Sequence, residues 1–277
     1  AFKLTELVST RNIVRIVASA SFALWPALTG ALSDAKFSQV LAIALLPWLL
    51  YSLGRVARIG FKDSTRFPRT HVGIAAILLA MIASSSPVLG LVLLLMVITT
   101  ALLRPTKLLP LLSSTALAIA WFLPVIFERA VSGSWLSLLL DPGLSVPDSL
   151  EANWKLPFFG FGFDSLSFGL FITVPVLVFA LLAILAPKLR ETLPLWAIAL
   201  AALATSWVVV GTQFNLGNGS SLGIDVSALL GLFGLALVLL LAHVADASLV
   251  LRITALASVA LFGLVPAAFQ LVTNPPA

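Results

Sequence analysis

An all-α, polytopic integral-membrane bundle of about nine transmembrane helices, N-terminus in and C-terminus out, is the fold this sequence predicts. Three observations lead there. Only 10% of the 277 residues are charged and 60% are hydrophobic, whereas about a quarter of an average soluble domain is charged, so a water-soluble globule of this length is excluded. The mean hydropathy of +1.13 resides in long Leu/Ala/Val runs, of a length that lipid rather than a protein core solvates. The cations also fall mostly on one side once those runs are threaded alternately across a bilayer.

A span needs about 20 mostly apolar residues, and charged or Pro/Gly clusters mark the breaks. The first span covers 12–32, with Arg15 one turn inside its start, where a long side chain can snorkel to the interface. Asp34 and Lys36 mark a short turn before the second, 37–54, which contains Pro47-Trp48 and stops at the basic stretch Arg55, Arg58, Lys62, Arg66, Arg69. The apolar run that follows is too long for one span and is interrupted by Ser84-Ser85-Ser86-Pro87. Proline removes a backbone donor and serines favour a turn, so two short antiparallel helices, 71–86 and 87–103, are expected in place of one kinked helix. Arg104 and Lys107 precede the fifth span, 108–127, and Glu128-Arg129 open an outer loop, 128–164. The remaining spans are 165–186, 193–211, 226–244 and 249–270. They are separated by Lys188-Leu189-Arg190-Glu191, by a Gly-rich loop from Gln213 to Gly219, and by Ala245-Asp246-Ala247-Ser248. All nine form a single transmembrane domain, 1–277.

Charge sets the orientation. With the Arg55–Arg69 loop inside, thirteen of the sixteen cations lie inside, and only Lys36, Arg129 and Lys155 lie outside. That cation bias is the positive-inside rule proper. The acids Asp34, Glu128, Asp141, Asp148, Glu151, Asp164 and Asp225 go outside, while Glu6, Asp63, Glu191 and Asp246 stay inside. A net charge of +5 therefore reports orientation in the plasma membrane, not a nucleic-acid partner. The spans hold almost no ionisable residue, and no internal repeat is evident, which weighs against a pump or secondary transporter. The chain has no cysteine, so disulfides and thiolate chemistry are absent. It starts Ala1-Phe2-Lys3-Leu4-Thr5-Glu6, without an initiator Met or the pattern of a signal peptide; a processed chain or part of a longer one is expected.

Candidate chemistry concentrates in the outer loop. Glu128, Asp141 and Asp148 are candidate catalytic carboxylates, and Arg129, Trp135, Glu151, Trp154 and Lys155 candidate binding residues for a sugar or lipid-linked head group. Tryptophan stacks on apolar sugar faces and carboxylates accept hydroxyl protons, but Trp and Lys also gather at head-group level in loops that bind nothing. Asp34, in the first outer turn, is a further candidate base or a plain turn carboxylate. The basic stretch Arg55, Arg58, Lys62, Arg66 and Arg69 can contact anionic lipid head groups or phosphates, or serve orientation alone. Phe158-Phe159-Gly160-Phe161-Gly162-Phe163-Asp164 reads as an apolar surface-dipping loop, and Asn218-Gly219-Ser220 as a turn. His71 and His243 lack metal-ligand spacing and are expected at an interface or in packing. There is no Asp-x-Asp pair and no Walker A sequence, so neither a metal site nor a cofactor is expected in this chain.

The order of landmarks resembles a known family. Leu24-Trp25-Pro26-Ala27-Leu28, Gly30-Ala31-Leu32, Leu45-Leu46-Pro47-Trp48, the basic loop, the Ser/Pro-broken hairpin and Asp141-Pro142-Gly143-Leu144-Ser145-Val146-Pro147 look like the membrane region of the large family 2 glycosyltransferases of actinobacteria. Lys188-Leu189-Arg190 and Leu229-Leu230-Gly231-Leu232 continue the likeness, which covers roughly residues 24–246. The resemblance implies a cytosolic nucleotide-sugar-binding domain upstream and a role in cell-envelope polysaccharide assembly. That domain and its acidic metal motif are not in this chain, so no catalytic residue carries over.

Three functions follow as expectations. The first is the membrane portion of an envelope glycosyltransferase, anchoring a catalytic domain and presenting a lipid-linked saccharide acceptor between its helices. The second is a self-contained polyprenyl-phosphosugar-dependent transferase working on the outer face. The third is a non-enzymatic scaffold that meets other membrane subunits through small-residue faces such as Ala197, Ala201 and Ala204, or Gly231 and Gly234. Membrane lipids are partners in all three.

Overall fold

A computed structural model of the chain describes residues 1–23, 25–28, 36–57, 69–104, 106, 108–131, 189–210, 213–215 and 221–247, together with 253 and 257. The expected sixth span, nearly all of the ninth and the loop beyond Val131 lie outside these residues. The elements in chain order are α1 (Phe2–Thr5), α2 (Asn12–Ala23), α3 (Trp25–Leu28), α4 (Phe37–Ala57), α5 (Arg69–Ser85), α6 (Pro87–Leu103), α7 (Leu108–Val131), α8 (Leu189–Val210), β1 (Gln213–Asn215), β2 (Ser221–Gly223) and α9 (Ser227–Ala247). Among the described residues the fold is helical apart from one short antiparallel hairpin, in which Gln213 faces Gly223, Phe214 faces Leu222 and Asn215 faces Ser221. That hairpin takes up part of the Gly-rich loop, and the helical class expected of the chain stands.

Among the described residues three helices are long and apolar enough to cross a membrane: Phe37–Ala57, Thr192–Val209 within α8, and Ser227–Ala245 within α9. The apolar stretches of α2, α5, α6 and α7 are shorter. The outer surface is apolar over many large side chains, including Phe37 (76% exposed), Trp121 and Val208. Large exposed apolar surface is unusual in soluble monomers and is compatible with contact with membrane lipid.

The centre of the bundle is α9. Its apolar window has a mean hydropathy of 2.5 and is 94% buried, as expected of a helix that is hydrophobic all round. It packs on α2, α3, α4, α6 and α8. Since lipid is as apolar as leucine, helices in a bilayer associate through close packing and small residues. Gly231 lies against Ile43 of α4, and Gly234 against the indole of Trp25 in α3. These glycines therefore serve packing within the chain. On α8, by contrast, Ala199 and Ala202 are buried while Ala197 and Ala204 are exposed.

The break between α5 and α6 falls where serine and proline predicted it. Ser86 adopts an extended conformation (φ −145°, ψ 94°) and Pro87 opens α6, where a missing N–H costs nothing. Val72 at the start of α5 and Val97 and Ala101 at the end of α6 belong to one apolar cluster with Val56, Ala57 and Leu111, so α5 and α6 run in opposite directions.

Several helices outrun the spans read from hydropathy. α4 continues through Arg55 to Ala57, α7 through Glu128 and Arg129 to Val131, and α9 through Asp246 to Ala247, while α8 starts at Leu189. A charged side chain ends an apolar window, but it leaves the backbone hydrogen bonds intact and sits favourably at a helix end when its sign suits the dipole.

The contacts sort the helix ends. The cluster around Ala57 joins the end of α4, the start of α5, the end of α6 and the start of α7. Lys36, just before α4, pairs with Asp225, just before α9, at 3.0 Å, so α4 and α9 run parallel from the opposite end.

Candidate functional site

A cavity of about 490 Å³ opens at the end of the bundle where Ala57 and Leu111 meet. Its size is within the range of small-molecule pockets. Leu50, Leu53 and Gly54 of α4, Leu93, Met96 and Val97 of α6, Leu195 and Ile198 of α8, and Leu239 of α9 form apolar walls. Leu4, Leu7 and Val8 close one side, because the N-terminal segment folds back on the bundle. Gly54 permits that approach, as a Cβ there would stand 3.1 Å from Leu7 Cδ1. The segment is fastened by Glu6, which accepts from Arg15 at 3.1 Å and pairs with Lys3 at 3.5 Å. Arg15 also lies 4.3 Å above the Phe2 ring. It thus binds the N-terminal segment, where the sequence suggested a side chain snorkelling alone.

Among the described residues the polar members of the cavity are Thr100, Arg104 and His243. Thr100 Oγ1 donates to Met96 O at 2.7 Å, a bond internal to α6. Arg104 caps α6, and its Nη1 donates to Ala57 O at 3.1 Å. That carbonyl belongs to the last turn of α4 as described, so the arginine joins α4 to the end of α6. Arg55 is in the last turn of α4, Arg69 opens α5, and Lys3, Arg11 and Arg15 lie on the N-terminal segment and α2 at the same end.

The opposite end holds a second polar group. Asp225 is 4% exposed; Oδ1 accepts from Ser227 N–H at 2.7 Å, and Oδ2 stands 3.0 Å from Lys36 Nζ. One carboxylate thus caps the central helix and ties it to α4. Trp25 Nε1 donates to Leu230 O at 3.1 Å one turn deeper. Gln39, fully buried, has no hydrogen-bond partner for either amide atom among the described residues. A buried polar group left unsatisfied costs about 1–3 kcal/mol. Gln39→Leu is therefore expected to raise stability by about 1 kcal/mol. Thermal unfolding in detergent checks this: a lowered midpoint would mean that the amide holds a bound water or ligand.

The sequence-predicted site residues divide sharply. Arg55 and Arg69 reach the cationic end, near the cavity, as parts of the helices they flank. Glu128 is exposed on the last turn of α7, with Arg129 beside it, so both belong to a helix and not to the loop. Asp34, Arg58, Lys62, Arg66, Trp135, Asp141, Asp148, Glu151, Trp154 and Lys155 lie outside the described residues. His71 packs edge-on to Tyr51, with ring centroids 6.0 Å apart. Among the described residues no group of three or more His, Asp or Glu could hold a metal ion. Sequence reasoning missed Arg104 and the Lys36–Asp225 pair as site residues; the signal for the pair was that the charge sorting put both on one side. Gly219-Ser220-Ser221-Leu222-Gly223 spells Gly-x-Ser-x-Gly, but Ser221 starts strand β2 and is not on the strand-to-helix turn that exposes a nucleophile.

The chain matches no protein-family model, no curated protein and no solved structure.

Proposed function

We propose that this chain is the multi-pass plasma-membrane portion of an actinobacterial cell-envelope glycosyltransferase, crossing the bilayer about nine times with its N-terminus in the cytosol. It anchors a cytosolic catalytic domain and seats a lipid-linked saccharide acceptor between its helices. The observation that carries the reading is the cavity of about 490 Å³ at the cationic end. By the positive-inside rule that end faces the cytosol, so an apolar chamber opens where an upstream catalytic domain would stand. The chain enters the bundle at this end, and its first residues form a wall of the chamber. The landmarks from Leu24 to Asp246 add the resemblance to the glycosyltransferase family.

The test is to isolate the native protein from its source membrane, measure its intact mass and assay sugar transfer to lipid-linked acceptors. A polypeptide much heavier than 29.2 kDa that transfers sugar is expected. A native species of that mass, without transferase activity, sinks the reading. Orientation has its own check: these 277 residues hold no cysteine, so a single cysteine introduced into this chain, expressed by itself, is its one thiol. Thr106→Cys should resist a membrane-impermeant maleimide in intact cells, and Glu128→Cys should react; the reverse pattern overturns the orientation.

A further inference from the structure

The cavity at the cationic end is apolar along its walls and cationic at its edge, and that pairing selects a class of ligand. No carboxylate is among its described lining residues. Glu6, the acid on the adjoining segment, is already engaged by Arg15 at 3.1 Å and Lys3 at 3.5 Å. Arg104 lines the cavity and is exposed. Among the described residues its guanidinium makes one bond, Nη1 to Ala57 O at 3.1 Å, which anchors one edge of it and uses one of five N–H donors. A planar donor fork fits the oxygens of a phosphate in a bidentate way that an ammonium cannot reproduce. Arg55 and Arg69 stand at the same end and make its potential more positive.

The geometry points to a binding site for a phosphate-headed lipid, its hydrocarbon chain in the cavity between α4, α6, α8 and α9 and its phosphate on Arg104. Arg104 is then the residue that recognises the head, and Met96, Leu93 and Leu239 are those that receive the tail. This goes beyond the glycosyltransferase reading and requires only that the cationic end lie at a lipid–water interface. A polyprenyl phosphate and a bilayer phospholipid both carry this chemistry.

Native mass spectrometry of the full chain in detergent micelles tests it, with polyprenyl phosphate, phosphatidylglycerol and polyprenol as probes. A phosphate-bearing lipid is retained and polyprenol, which has the tail without the head, is not. Arg104→Ala lowers retention by about tenfold, the loss expected for a charge-assisted bidentate contact. Arg104→Lys, which keeps the charge and a donor for Ala57 O, gives an intermediate loss. Met96→Trp fills the cavity with Arg104 in place and also lowers retention, so a folding defect in Arg104→Ala does not decide the matter. Preference for polyprenyl phosphate assigns the site to an isoprenoid carrier, and preference for phosphatidylglycerol to a bilayer lipid. Retention of polyprenol equal to that of polyprenyl phosphate, or retention unchanged in both Arg104→Ala and Met96→Trp, overturns the proposal. The native-mass test of the transferase reading is independent, so either idea can fail alone.

Discussion

Gly234→Leu is expected to destabilise the bundle by about 3 kcal/mol or more, beyond the usual cost of overpacking a core. A Cβ at Gly234 would fall on Cζ2, Cε2 and Cη2 of Trp25. The indole cannot simply turn away, because Trp25 is 8% exposed and its Nε1 donates to Leu230 O at 3.1 Å. Leu230 is one helical turn before Gly234, so the hydrogen bond and the ring's position over the glycine are one arrangement. Inserting a side chain removes both and parts α3 from the central helix. The check is unfolding of the purified protein in detergent, run as a double-mutant cycle with Trp25→Ala. Large-to-small change of a buried Trp costs about 3–5 kcal/mol by itself, but the two changes together should be less damaging than their sum, since the leucine occupies the space the indole leaves. Strict additivity would show that the two positions do not touch.

Part of this architecture is legible in the sequence because it depends on local chemistry. Ser84-Ser85-Ser86-Pro87 marks a break whatever surrounds it, for the missing proline N–H and the serine turn preference are properties of those residues. The helical runs are likewise readable, since unbroken Leu/Ala/Val sequence has few other solutions in lipid. The limits of helices are less so. Arg55, Glu128 and Asp246 end the apolar windows but not the helices, because hydropathy follows side chains and a helix follows its backbone hydrogen bonds. What sequence could not supply is the choice of neighbours. Gly231 and Gly234 suit either a partner subunit or internal packing, and only the positions of Ile43 and Trp25 decide it. Leu4 and Leu7 form too short an apolar stretch to be read as part of the bundle, yet they wall the cavity. Arg104 looks like one topogenic cation among many until Ala57 O is placed beside it. Of the acids and tryptophans of the expected outer loop, Glu128 is on α7 and the others lie outside the described residues.

Asp225→Asn should cost about 3 kcal/mol, the lower end of the range for breaking a buried ion pair by removing one partner. The asparagine oxygen can still accept from Ser227 N–H, so the cap on α9 survives and the change isolates the charge. Asp225→Ala loses the cap as well and should add about 1 kcal/mol. The penalty arises because the Lys36 side chain, 19% exposed, keeps its charge near the α4–α9 contact while the carboxylate 3.0 Å away is gone. Its long stem can carry the ammonium part of the way to the interface, which argues for the lower figure. Lys36→Met in the Asp225→Asn background should then recover most of the loss, since a neutral pair of similar shape needs no compensation. Unfolding midpoints of the two single variants and the double, measured in the same detergent, decide between this and the alternative. If the double variant is as unstable as the two losses summed, the pair does not hold α4 to α9. If it recovers, the tie at the end of the bundle opposite the cavity is electrostatic, and the register in which Gly231 meets Ile43 and Gly234 meets Trp25 is held in part by a charge pair whose partners are far apart in the chain.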